Sequence, residues 1–172
     1  MLAAMNRPYG REDYMDIVTV LKDADPYYGI STDIIVGFPG EKEKHFEESC
    51  SLVEECGFCK THIFKYSKRP MTKAAKMDGH IDPEVKNRRS DKLHKVGSQA
   101  AASFFAKNKG RQERVLLEEL YPEKNIITGY TDNYTKVYIK YESEDEATKL
   151  LNEFADIVLL EQFEEGMTAK LI

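Results

Sequence analysis

Long apolar runs are missing from this 172-residue sequence. None approaches the roughly 20 residues that a membrane-spanning helix needs, and the opening Met1-Leu2-Ala3-Ala4-Met5-Asn6-Arg7 lacks the extended apolar core of a secretion signal. A cytoplasmic location is therefore expected. Cysteine is scarce and odd in number, at three, which argues against a disulfide framework. Cys50, Cys56 and Cys59 form a C-x5-C-x2-C series. No second Cys/His pair at metal spacing accompanies them, and Cys50 shares an apolar helical stripe with Phe46 and Val53, so all three are expected to be small packing residues. Also absent around Gly37-Phe38-Pro39-Gly40 are the Lys and Ser/Thr of a phosphate loop and the spacing of a dinucleotide fingerprint, which weighs against an independent nucleotide-binding unit.

What is present is a globular composition, 41% hydrophobic and 32% charged, with a net charge of −5. The charge is segregated: residues 1–59 carry −7, residues 60–114 carry +10 and residues 115–172 carry −8. The acidic total argues against a polyanionic partner, whereas the basic middle suits either a solvated helix or a strip facing phosphate.

Periodicity supplies the elements. Residues from about 10 to 24 place Tyr14, Ile17, Val18 and Leu21 on one helical face, and Asp25-Pro26 stops that helix. Ile30 to Val36 and Cys59 to Tyr66 read as buried strands flanking an amphipathic helix, a βαβ unit whose strand ends open on one edge near Gly37 and Ser67, where ligands bind in parallel sheets. His62, inside the second strand, is expected to be a core histidine. A long loop from Ser67 to Ile81 follows, and loops of this length are usually functional or disordered. Asp82-Pro83 then opens a helix with Leu93, Val96, Ala100 and Phe104 inward. Past Lys109 the pattern alternates through five short strands, near Val115–Leu120, Ile126–Tyr130, Thr135–Tyr141, Ile157–Leu160 and Thr168–Ile172. A helix opened by the capping box Ser143-x-x-Glu146, carrying Leu150, Leu151 and Phe154, is inserted among them. This is the pattern of a small oligonucleotide-binding β-barrel. In Lys136–Tyr141, Val137, Ile139 and Tyr141 are expected inward, leaving Lys136, Tyr138 and Lys140 as a basic and aromatic platform.

Five blocks occur in a characteristic order: Met5-Asn6-Arg7-x-Tyr9, Thr32-Asp33-Ile34-Ile35-Val36-Gly37-Phe38-Pro39-Gly40-Glu41, His62-Ile63-Phe64-x-Tyr66-Ser67-Lys68-Arg69, Thr72-x-Ala74-Ala75-x-Met77 and Gly129-Tyr130-Thr131-Asp132-Asn133-Tyr134. In these blocks the chain resembles the radical S-adenosylmethionine methylthiotransferases, most closely the branch acting on threonylcarbamoyl-adenosine beside the tRNA anticodon. The resemblance implies an α/β fold in which residues 1–106 are the last part of a (β/α) TIM-like radical-enzyme barrel. Residues 107–172 would be a TRAM domain, a small all-β, OB-like RNA-binding barrel with a helical insert.

The resemblance further implies that Asp33, Gly37, Pro39, Gly40, Phe64, Tyr66 and Ser67 lie at the S-adenosylmethionine site, with absent side chains at the glycines letting backbone approach the cofactor. It assigns RNA contacts to Lys68, Arg69, Lys107, Lys109, Arg111, Asn133, Tyr134, Lys136, Tyr138 and Lys140. The C-x-x-x-C-x-x-C loop that holds the family's iron-sulfur cluster, a 4Fe-4S centre, is not in this sequence. The chain is therefore expected to be a carboxy-terminal fragment, inactive alone, of a tRNA methylthiotransferase, and its cut barrel edge is expected to self-associate. A stand-alone RNA-binding module on an α/β scaffold is the alternative. Met71 stands where the family usually has glycine, so the Arg69–Thr72 loop is expected to be reshaped.

Overall fold

The computed structural model describes all residues, Met1–Ile172, which fall into two compact units: Met1–Pro26 with Ile30–Ala101, and Tyr27–Gly29 with Ala102–Ile172. The fold is mixed α/β. No helix is long and apolar enough to cross a membrane.

The first unit contains α1 (Arg11–Ala24), β1 (Ser31–Val36), α2 (Glu43–Cys56), β2 (Lys60–Lys65) and most of α3 (Pro83–Asn108). Strands β1 and β2 pair in parallel from Ser31↔Lys60 to Val36↔Lys65, so both carboxyl ends open on one edge, as the sequence pattern predicts. Gly57 ends α2 in the left-handed conformation, its N–H bonded to the Val53 carbonyl at 3.1 Å. The core joins Val36, Phe46, Val53, Cys56, Phe58 and Leu93, with Val96 and Ala100 on the inward stripe of α3 as expected.

Three expectations fail in this unit. The strands are covered on one face only: Ile35 is 40% and Phe64 52% exposed, and His62 lies beside them in solvent rather than in the core. All three occupy the same side of the two-stranded ladder, opposite the helices. Ile17 is exposed as well. Helix α1 is rotated so that Met15 and Lys22 face α2, with Cys56 Sγ donating to Met15 Sδ at 3.4 Å and Lys22 Nζ to the Cys56 carbonyl, which carries Ile17 off the contact stripe. Finally, methionine does not exclude the left-handed region at this position. Met71 takes φ 69° and is 96% exposed, with its side chain free of neighbours that the left-handed conformation would crowd.

The second unit is a closed barrel in the order β3-β4-β5-β7-β6, made of β3 (Gln112–Tyr121), β4 (Ile126–Thr131), β5 (Lys136–Lys140), β6 (Phe154–Phe163) and β7 (Gly166–Leu171). Every pairing is antiparallel except β5 with β7. This order, with α4 (Glu144–Leu150) between the third and fourth strands, is consistent with the OB-like barrel expected from the alternating pattern. Ser143 caps α4, its hydroxyl accepting the Glu146 N–H at 3.4 Å. Phe154 is not on that helix. It opens β6 and is 54% exposed, because the chain reverses at Asn152 (φ 63°) before reaching it.

The barrel interior is filled by Val115, Leu117, Ile127, Val137, Ile157, Leu159 and Met167. Closure demands glycine at two tight crossings, Gly129 and Gly166. A Cβ on Gly129 would lie 1.9 Å from the Leu116 carbonyl oxygen, next to the bulge where β3 shifts register between Leu117 and Glu119.

Candidate functional site

Two surfaces carry chemistry. The first is the tip of the β1–β2 ladder. The ladder continues past the strands through the Tyr66 N–H, which bonds the Val36 carbonyl at 2.8 Å and sets the Gly37 and Tyr66 turns side by side. Gly37 adopts φ 74° and donates its N–H to the Glu41 carboxylate at 2.8 Å. Arg89, from α3, closes on the same carboxylate at 2.7 Å, on the Glu41 carbonyl at 3.1 Å and on Glu43 at 2.9 Å. The Arg89 and Glu41 side chains are 6% and 5% exposed, so a desolvated ion pair holds the turn. The hydrogen bond from Arg89 also lowers the Glu43 carboxyl below its ordinary 4.5. On the other side, Gly40 N–H bonds the Gly79 carbonyl at 2.8 Å, and the Tyr66 ring packs edge-on against Phe38 (5.3 Å) and stacks on His80 (6.0 Å).

The expected cofactor residues divide accordingly. Asp33 and Phe64 stand on the open sheet face, Gly40 and Ser67 are exposed at the tip, and Gly37 and Pro39 are buried beneath it. The room beside Gly37 is not free for a ligand. A Cβ there would fall 2.2 Å from Lys86 Cγ, whose ammonium reaches the Tyr66 carbonyl at 3.1 Å, so this glycine admits a lysine stem from α3 instead. The remaining set offers a ring for stacking, a carboxylate for hydroxyl or ammonium groups, and exposed backbone, a donor set that suits an adenosine. Lys68 and Arg69 lie exposed in the following loop.

The cysteines do not suit an iron-sulfur cluster, which needs converging thiolates. Cys50 and Cys56 are buried, Cys59 Sγ donates to the Ile30 carbonyl at 3.2 Å, and burial pushes all three thiols up, towards the neutral form. No group of three or more His, Cys, Asp or Glu side chains is placed to hold a metal ion.

The second surface lies on the barrel, around the β4–β5 turn. The Thr131 hydroxyl accepts the Thr135 N–H at 3.1 Å and donates to the Asn133 side-chain oxygen at 2.6 Å, while Asn133 Nδ2 donates to the Tyr27 carbonyl at 3.2 Å. This locked turn forces Tyr134 to φ 63° and leaves it 79% exposed, its ring 5.2 Å from that of Tyr130. Lys136 Nζ sits 6.0 Å from the Tyr130 ring centre. Tyr130, Tyr134 and Lys136 therefore form an exposed aromatic and cationic patch.

Tyr130 was not among the residues picked from sequence. The alternation of β4, with Ile127, Gly129 and Thr131 buried, places it outward and is the signal that could have found it. Tyr138 is the converse case. Expected on the open platform, it is only 8% exposed, because Phe163 at the end of β6 packs edge-on against it at 5.1 Å. Burial, and then the negative charge of the nearby Glu164 carboxylate, push the Tyr138 phenol well above the usual tyrosine range. Of the other expected RNA contacts, Lys107 and Lys140 are exposed. Lys109 pairs with Glu161, and Arg111 pairs with Glu113 at 2.7 Å while lying 3.6 Å over the Tyr27 ring, so both are engaged within the unit.

No family model matches the sequence. Curated relatives do. The threonylcarbamoyladenosine tRNA methylthiotransferase of Bacillus subtilis is 38% identical over 143 residues, 81% of this chain and 32% of that protein. The tRNA-2-methylthio-N(6)-dimethylallyladenosine synthase of Campylobacter jejuni is 40% identical over 157 residues, 91% of this chain and 35% of that protein. A threonylcarbamoyladenosine tRNA methylthiotransferase of Chlamydia pneumoniae is 32% identical over all 172 residues and 39% of its own length. The chain thus spans about a third of the length of the curated relatives it matches.

Proposed function

Because the chain belongs to the radical S-adenosylmethionine methylthiotransferase family, we propose that it is the carboxy-terminal, tRNA-gripping part of an enzyme that adds a methylthio group to threonylcarbamoyl-adenosine next to the anticodon. The barrel acts as the family's TRAM domain and holds the anticodon arm. The first unit supplies the final β/α elements of a TIM-like barrel. Its open sheet face, with Asp33 and Phe64, forms one wall of the cofactor pocket and is also the surface through which isolated copies would associate.

S-adenosylmethionine, when bound, supplies the radical chemistry of the family. This chain's residues contribute binding and positioning: Phe64 offers a face to the adenine, Asp33 accepts hydrogen bonds, and Arg89 with Glu41 fixes the Gly37–Glu41 turn beneath them. No step is assigned to the cysteines.

The Tyr130–Tyr134–Lys136 patch on a closed OB-order barrel carries the RNA assignment. Base stacking on an aromatic ring contributes about 1–3 kcal/mol per base, and one lysine–phosphate contact contributes about one unit of salt slope. Binding of unmodified tRNA by the 172-residue chain, measured against salt, tests this. Tyr134→Ala should weaken binding by about 5- to 100-fold, and Lys136→Ala should flatten the log–log salt dependence by about one unit. Unchanged affinity and slope in both variants would remove RNA binding from this face.

A further inference from the structure

One cavity on the barrel wall adjoins the patch just described and shares Lys136 with it. It holds about 180 Å³ between the β3–β4 turn, strands β4 and β5, and the β6–β7 turn, and its chemically distinctive lining is Tyr121, Lys124, Lys136, Tyr138, Phe163 and Glu164. Pockets that hold drug-sized ligands run to roughly 300–1,000 Å³. This one has room for a single planar ring system and little more.

The lining is arranged for such a guest. Phe163 is 40% exposed and packs edge-on to the buried Tyr138, which fixes one aromatic wall while leaving a free ring face. Lys124 Nζ lies 6.0 Å from the Tyr121 ring centre and Lys136 Nζ 5.5 Å from that of Tyr138, so an ammonium stands beside each of these two rings. Each can reach a backbone phosphate flanking an inserted base.

The remaining group is the unexpected one. Glu164 occupies a two-residue turn between the paired Phe163 and Gly166, at φ 49°, where glycine or asparagine would be relaxed. The fold tolerates that strain and places Glu164 in the same lining as Tyr138. A carboxylate beside two lysines weakens attraction for phosphate and cannot accept a hydrogen bond from it. It can accept one only from a donor, and among the edges of unpaired bases guanine alone presents two adjacent N–H donors, on its ring nitrogen and its exocyclic amine, to a single carboxylate. Uracil offers one N–H between two carbonyls, and adenine and cytosine place an acceptor next to their amine.

We propose that this cavity is a slot for one unpaired guanine of the bound RNA, stacked on Phe163, read by Glu164, and flanked by phosphates on Lys124 and Lys136. The proposal rests on the barrel being an RNA-binding domain. It adds a base preference that stacking and charge alone would not produce.

The test uses the 172-residue chain and labelled uridine pentanucleotides whose central base is G, inosine, A, C or U, each also used to compete with tRNA. The G oligonucleotide should bind about 10-fold or more tighter than the U one, and inosine, which lacks the exocyclic amine, should lose most of that advantage. Glu164→Gln should collapse the G preference to within about twofold. The comparison of G with inosine needs no variant, so it stands even if Glu164→Gln folds poorly. Equal binding of all five, or tRNA binding that none of them competes away, overturns the slot and leaves the RNA assignment intact. Failure to bind either tRNA or any pentanucleotide overturns both.

Discussion

Replacing Arg89 by methionine isolates what holds the strand-tip turn. The substitution keeps most of the apolar stem but removes three hydrogen bonds, at 2.7, 3.1 and 2.9 Å, and leaves the Glu41 carboxylate with the Gly37 N–H as its remaining partner. With both side chains about nineteen-twentieths buried, water cannot replace the guanidinium. Stranding one member of a buried pair typically costs about 3–5 kcal/mol. Against a total stability of about 5–15 kcal/mol for a domain, that is a fifth or more, and it should lower the melting temperature of the first unit by more than about 10 °C. The chain has no tryptophan, so far-UV circular dichroism during urea unfolding is the suitable probe. Adding Glu41→Gln removes the stranded charge, so the double variant should be more stable than the sum of the two single losses predicts, by about 1 kcal/mol or more. If Arg89→Met lies within about 1 kcal/mol of the parent, the turn is held by its backbone conformation and the ion pair is incidental.

Two further outcomes are expected. Met71 sits at φ 69° with its side chain in solvent, so Met71→Gly should raise stability by about 0.5–1 kcal/mol, the relief of left-handed strain less the added freedom of the unfolded chain; an unchanged or lower urea midpoint would contradict this. Arg89 holds the Glu43 carboxyl below its ordinary 4.5, so Glu43 lends stability that is complete above that pH and drains as pH falls through the lower folded-state value. The stability gap between the parent and Glu43→Gln, present at neutral pH, should therefore close as the solution is acidified below about 4.5, and a gap that persists in acid would refute the assignment.

Local chemistry was legible wherever it coincided with burial. Asp82-Pro83 and the Leu93, Val96, Ala100 and Phe104 stripe marked α3, and Ser143 with Glu146 marked the start of α4. The parallel βαβ unit followed from two apolar strands flanking an amphipathic helix, and the five-stranded barrel from the change of period after Lys109. What was not legible depended on neighbours far away in sequence. Ile35, His62 and Phe64 look like core residues because the strands carry apolar side chains on both faces, although Ser31, Asp33 and Lys60 share the open face with them. Tyr138 looks outward-facing by alternation until Phe163, 25 positions later, is seen to lie over it. Lys109 reads as a free cation because its partner Glu161 comes near only through the pairing of β3 and β6, and Arg111 because the Tyr27 ring beneath it lies 84 positions earlier, although its ion-pair partner Glu113 is close in sequence.

The barrel unit is not continuous along the chain. Tyr27–Gly29 belongs to it: the Tyr27 carbonyl anchors Asn133, and its ring lies beneath the Arg111 guanidinium, a stacking contact of about 0.5–2 kcal/mol. Anyone transplanting residues 102–172 into another scaffold would leave this three-residue strap behind and loosen the hairpin that displays Tyr134. A faithful graft has to bring a surrogate aromatic and carbonyl along with it.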